Sequence, residues 1–219
     1  MLTRLPDLRS IVVLYRIAAL AAAGLVFGTM LGQASAAGWI VAAAAFFAAV
    51  LAGSSYRFII AVWTERYRFA AASWSGGAAA AAWLSLALCA TAPVSGIDPL
   101  MVAAAHGTAI NLAYALARGG CLLTGCCATP IAVRSMAIDI RWLEIVLCGA
   151  VAALTAMLAQ AELRYAGLVG IAGYLALRQF ALSARGGHRL WWPPLRQPGI
   201  DLFPHLLLGI AVASAFVWQ

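Results

Sequence analysis

The chain has 219 residues, 65% of them hydrophobic and only 10% charged. Ordinary soluble domains carry about a quarter charged residues, and a soluble fold could not hide this much apolar surface, so the composition points to an integral membrane protein. The formal net charge is +7, and the basic residues are dispersed between apolar runs, which argues against nucleic acid and fits anionic lipid headgroups as partners.

Seven apolar segments follow one another: 10–31, 38–54, 70–92, 99–117, 142–159, 165–184 and 203–218. Each is close to the ~20 residues a spanning helix needs. The expected fold is therefore an all-α integral membrane protein with about seven transmembrane helices, one polytopic domain over 1–219 and no soluble domain. Arg16 interrupts the first run, which is long enough to span, so it does not read as a cleaved signal peptide. The stretch 56–68 mixes Arg57, Trp63, Glu65 and Arg66 and reads as a headgroup-level connection. Gly32, Pro93, Gly96, Pro99 and Pro130 mark segment ends. Alanine fills the helix interiors, where small residues allow close packing.

All fourteen basic residues are arginine. A GC-rich genome accounts for most of that bias, and arginine also suits bidentate phosphate contacts. With seven spans, one side of the membrane carries nearly all of them, which the positive-inside rule assigns to the cytoplasm. Five cysteines occur, an odd number, so a pure disulfide framework is not expected. Paired C-x-x-C ligand sets are missing, so neither a metal nor a cofactor is expected. Cys89 and Cys148 read as small core residues, and Cys126–Cys127 as packing.

The most informative stretch is Ala117-Arg118-Gly119-Gly120-Cys121-Leu122-Leu123-Thr124-Gly125-Cys126-Cys127. An arginine inside an apolar chain is a functional candidate by default, because charge is expensive in a bilayer. Asn111, Tyr114 and Arg118 share a helix face, with Cys121 beyond them. Arg178 and Arg185 share a face of the sixth segment. Glu144 lies one turn inside the fifth, with Arg141 three residues before it. Arginines from at least two helices and one carboxylate could thus converge at one membrane boundary as a phosphate clamp. Glu144 also reads as the counter-ion that makes a buried arginine tolerable. His106, at the start of the fourth segment, reads as an interfacial histidine, offset in angle from Arg118.

Arg118, Gly120, Cys121, Leu123, Gly125, Cys126 and Cys127 match a signature of the prolipoprotein diacylglyceryl transferase family. The chain resembles a divergent branch of it whose loop reads Gly-Arg-Ile-Gly-Cys-Phe-Leu-Ala-Gly-Cys-Cys. Weaker echoes follow in order: Tyr15 in the first span, Arg57 after the second, Trp142-Leu143-Glu144, and Gly173-Tyr174 with Arg178 and Arg185. The resemblance implies seven spans and a site open to the outer side of a bacterial inner membrane, against the positive-inside count; the reading adopted follows the resemblance. It also implies transfer of a diacylglyceryl group from phosphatidylglycerol to a cysteine thiol, with release of glycerol phosphate. Arg118 and Arg185 would hold the lipid phosphate and Tyr15 would line the pocket.

The departures are specific. The family's His-Gly-Gly element appears as Ser75-Gly76-Gly77, so the histidine credited with activating the acceptor thiol is absent. Asparagine and glutamate of the main-branch loop appear as Cys121 and Cys126. The expected function is therefore a membrane transferase using an anionic glycerophospholipid, with an unknown acceptor other than the usual prolipoprotein cysteine, a membrane-anchored acceptor or a protein partner being the candidates, and His106 or Glu144 as substitute base. Arg118, Arg185, Glu144 and His106 are its candidate catalytic residues. Tyr15, Arg57, Ser75, Asn111, Tyr114, Cys121 and Arg178 are the candidate substrate-binding residues. The alternative is a non-catalytic lipid-binding or scaffold subunit of the same descent. A small carrier of thiol-reactive solutes ranks last.

Overall fold

Apolar runs without interior proline become helices. The computed structural model describes residues 8–32, 36–63, 74–125, 129–133, 136–185 and 201–218. The helices are α1 (Leu8–Leu31), α2 (Ala36–Trp63), α3 (Trp74–Ala90), a single turn α4 (Ala92–Ser95), α5 (Pro99–Leu123), α6 (Ile140–Gln160), α7 (Ala166–Ala184) and α8 (Leu202–Trp218). Five of them (α1, α2, α5, α6 and α7) are long and apolar enough to cross a membrane; α3 and α8 are apolar but shorter.

Local chemistry sets several ends. Asp98 caps α5, its carboxylate accepting from the Leu100 N–H at 2.9 Å, with Pro99 in the first turn. Asp139 caps α6 in the same way through the Arg141 N–H at 3.0 Å. The turn before α5 needs a left-handed residue, and Gly96 supplies it at φ 69°.

Three features differ from the sequence expectation. First, α2 does not stop at residue 54 but continues through Arg57 to Trp63, so the first part of the expected headgroup-level connection is helical, its apolar run 58–62 extending the helix. Second, α5 does not stop at residue 117; it runs through Gly119 and Gly120 to Leu123, so the arginine–glycine segment is helical. The glycines serve packing there: a Cβ on Gly120 would stand 2.6 Å from the Tyr15 Cβ of α1. Thr124 Oγ1 closes the last turn on the Gly120 carbonyl at 2.9 Å. Third, the fold is all-α as expected but carries one short strand pair. Strands β1 (Pro130–Val133) and β2 (Met136–Asp139) pair antiparallel between α5 and α6, with Pro130 opposite Asp139.

The central element is α5. Within it 83% of the apolar window is buried, and it packs against α1, α3, α6, α7 and α8. Small residues permit this. At the α5–α7 crossing Gly107 meets Gly170, where a Cβ on Gly170 would stand 2.7 Å from the Gly107 Cα and 2.9 Å from the Thr155 side chain. Asn111 locks the same crossing. Its Nδ2 donates to the Gly107 carbonyl at 2.7 Å and to the Gly170 carbonyl at 2.9 Å. Gly170→Ala is therefore expected to destabilise by about 1–3 kcal/mol through overpacking. A lowered unfolding midpoint of the detergent-solubilised variant checks this; an unchanged midpoint would show the crossing to be loose.

Candidate functional site

The C-terminal ends of α5 and α7 meet the N-terminal ends of α3, α6 and α8 at one end of the bundle. Charged and phenolic side chains converge there in an otherwise alanine-rich interior. Glu144, from the second turn of α6, is 2% exposed. Arg185, at the end of α7, holds it bidentately: Nη1 donates to Oε1 at 2.9 Å and Nη2 to Oε2. Arg118 of α5 places its Nε 3.2 Å from Oε2, an ion-pair contact without hydrogen-bond alignment. The Tyr114 hydroxyl donates to Oε1 and accepts from Arg118 Nη2 at 2.8 Å. The Arg118 guanidinium also lies over the Tyr114 ring, 4.8 Å from its centroid.

A second cluster lies against the first. Arg178 of α7, 4% exposed, donates from Nε to Asp201 Oδ2 at 3.0 Å, from Nη2 to Ser75 Oγ at 2.9 Å and from Nη1 to the Tyr114 hydroxyl at 3.3 Å. Tyr174 donates to the same Asp201 oxygen at 2.5 Å and accepts from Trp74 Nε1 at 3.2 Å. The Tyr114 hydroxyl joins the two clusters.

Charge and exposure separate them. Arg178 and Asp201 cancel, and Asp201 is fully buried. Arg118 and Arg185 share the one carboxylate of Glu144, which leaves one net positive charge. Their side chains are 13% and 19% exposed, so this positive end is the one that opens outward. Among the described residues Arg185 Nε, which is buried, has no hydrogen-bond partner. Arg118 Nη1 has only the Cys121 sulfur at 4.0 Å. Of these, Arg118 Nη1 is the donor with capacity for a ligand oxygen.

The structure thus brings Arg118, Arg185, Glu144, Tyr114, Arg178, Ser75 and Cys121 to one end of the bundle. Tyr15, 37% exposed, lies against Gly119 and Gly120 beside Arg118. Arg57 falls within α2, but its side chain is outside the described residues, as are Cys126 and Cys127. Two residues stand apart. Asn111 is three residues from Tyr114, about 60° short of a full turn, and points at the α7 backbone instead. His106 is fully buried among the helices, and twelve residues, about 18 Å of helix, separate it from Arg118. Its Nδ1 meets Ser85 Oγ at 2.9 Å, and its ring lies 5.0 Å from that of His205.

Arg141 also departs from its expected place beside Glu144. It forks onto Asp139 and donates from Nη1 to the Cys121 carbonyl at 2.7 Å, tying the hairpin to the end of α5. That hydrogen bonding from Arg141 holds the Asp139 carboxyl below its usual range. Sequence reasoning missed Asp201, Trp74 and His205. A carboxylate just before an apolar run, in a chain with seven acids, was the available signal for the first.

Among the described residues no group of three or more His, Cys, Asp or Glu side chains is arranged to hold a metal ion. No protein-family model, curated protein or solved structure matches the chain. By helix length and composition this is a multi-pass membrane protein, and its interior holds an arginine–carboxylate–tyrosine cluster at one end.

Proposed function

We propose that the Arg118–Arg185–Glu144 cluster binds the phosphate of an anionic glycerophospholipid such as phosphatidylglycerol, and that the protein is a transferase for the diacylglyceryl group of that lipid. The reading takes α3 and α8 as short spans, giving seven, with the cluster facing the outer side of a bacterial inner membrane. The observation that carries it is the pair of partly exposed guanidiniums with one uncancelled charge and unused donors, set within an apolar bundle. The likeness of the Arg118–Cys127 segment to the prolipoprotein diacylglyceryl transferases supports the same substrate class.

In such a transfer the bond between the glyceryl carbon and the phosphate oxygen breaks, and the acceptor heteroatom bonds to that carbon. Glycerol phosphate leaves with a second negative charge, which the two arginines stabilise as it develops. The acceptor's proton has a destination without any added base. A phosphate monoester has a second pKa of about 6 and takes the proton itself. This route matters because Glu144 is engaged by Arg118, Arg185 and Tyr114, Ser75 accepts from Arg178, and His106 is far from the cluster. The acceptor is a nucleophile other than the usual prolipoprotein cysteine, since Ser75 stands where the resembled family carries its histidine.

The same engagement favours a second reading, a lipid-binding or scaffold subunit without turnover. Labelled phosphatidylglycerol decides between them. Membranes containing the protein, but not Arg185→Ala, are expected to release labelled glycerol phosphate. Retained lipid without release would support the scaffold reading.

A further inference from the structure

We propose that Glu144 is the specificity-determining residue of the lipid site, and that it selects phosphodiester headgroups carrying one negative charge over phosphomonoester headgroups carrying two. This rests on the proposed anion site. It adds how that site measures its ligand's charge.

The guanidinium fork already holds an anion. Arg185 spends both terminal nitrogens on Glu144, and Arg118 spends Nε on it. An incoming phosphate could in principle displace the carboxylate, but Glu144 has nowhere to go. It is 2% exposed, sits in the second turn of α6, and is held from behind by the Tyr114 hydroxyl. Releasing it would strand a buried charge at a cost of several kcal/mol. Glu144 therefore stays, and the ligand meets the exposed part of the two arginine side chains, with the Arg118 Nη1 edge as a donor that has capacity to spare.

Charge balance then sets the preference. Among the described residues, two guanidiniums and one resident carboxylate carry one net positive charge, and the neighbouring Arg178–Asp201 and Arg141–Asp139 pairs add none. A phosphodiester brings the site to neutrality. A dianionic phosphomonoester leaves one uncancelled negative charge beside the Glu144 carboxylate, in a poorly solvated place where such an excess is penalised. The same rule keeps the proposed transfer balanced, since the leaving phosphate returns to one charge on taking the acceptor's proton.

The test uses the full chain in nanodiscs of phosphatidylcholine doped with either phosphatidylglycerol or phosphatidic acid, at a pH where the latter is dianionic. Bound lipid is read by native mass spectrometry. The wild type is expected to retain phosphatidylglycerol preferentially. Glu144→Gln adds one net positive charge and should move the ratio toward phosphatidic acid about tenfold or more. Glu144→Asp keeps the charge and should keep the preference. Arg118→Gln combined with Glu144→Gln restores one positive charge and should restore the preference at lower affinity. That double variant also serves if Glu144→Gln fails to fold, and a preference for phosphatidic acid in it would overturn the proposal. An unchanged ratio in Glu144→Gln would do the same. A wild type that retains both lipids equally refutes the selectivity while leaving the anion site standing; one that retains neither refutes both. Soluble glycerophosphoglycerol should not displace the lipid at matched concentration; if it does, the ligand is a soluble phosphodiester and the lipid assignment falls.

Discussion

Arg118→Lys is expected to lose lipid binding nearly as completely as Arg118→Ala, by about tenfold or more. The guanidinium uses separate nitrogens for separate tasks. Nε faces Glu144, Nη2 donates to Tyr114, and Nη1 points toward Cys121 with capacity to spare. A lysine ammonium is one compact point. It can neutralise Glu144, but it cannot also hold the Tyr114 hydroxyl and present a flat donor edge to phosphate. Retention of phosphatidylglycerol by the two purified variants checks this. Wild-type retention by the lysine variant would show that charge alone suffices.

Asp201→Asn is expected to destabilise the fold by about 3–5 kcal/mol, more than Gly170→Ala. Asp201 is fully buried, and its Oδ2 accepts from both Arg178 and Tyr174. Removing its charge takes from Arg178 the carboxylate it is paired with among α3, α5, α7 and α8. Among the described residues the hydrogen bonds from Arg178 to Ser75 and Tyr114 are to neutral groups. The paired change Arg178→Met with Asp201→Leu removes both charges and should cost less than the single change, because desolvation of a lone ion is the main penalty. Thermal unfolding in detergent reads both. A single variant as stable as wild type would mean that Asp201 is not the anchor of Arg178.

The apolar segments were legible because hydropathy needs no tertiary information. Each of the seven runs coincides with a helix, although only five are long enough to cross a membrane on length and composition alone. The end of α5 was not legible. Glycine pairs normally end helices, but Gly119 and Gly120 sit where Tyr15 of α1 presses on the turn, a contact between distant parts of the chain. The hairpin at 130–139 was hidden behind Pro130, which reads as a breaker and is also tolerated at the first position of a strand.

The cluster was half legible for the same reason. Helical spacing put Tyr114 one turn from Arg118, and Arg178 and Arg185 on one face two turns apart. It could not say that Glu144 would receive both Arg118 and Arg185 while Arg141 turned to its own cap, Asp139. Nor could it pair Arg178 with Asp201, which lies at the mouth of α8 and belongs to no periodic pattern. His106 misleads from sequence, since a histidine a few residues into an apolar run reads as interfacial. In the fold α5 is the central helix, and His106 is enclosed with Ser85 and His205.

The central claim is that Arg118 and Arg185 seat the phosphate of an anionic glycerophospholipid. Its most direct test is native mass spectrometry of the protein released from nanodiscs of phosphatidylcholine doped with phosphatidylglycerol. The expected result is one phosphatidylglycerol held by the wild type in preference to the bulk lipid, and lost from the Arg118→Ala and Arg185→Ala variants although both remain folded. Equal retention of phosphatidylglycerol by wild type and both variants would contradict the claim.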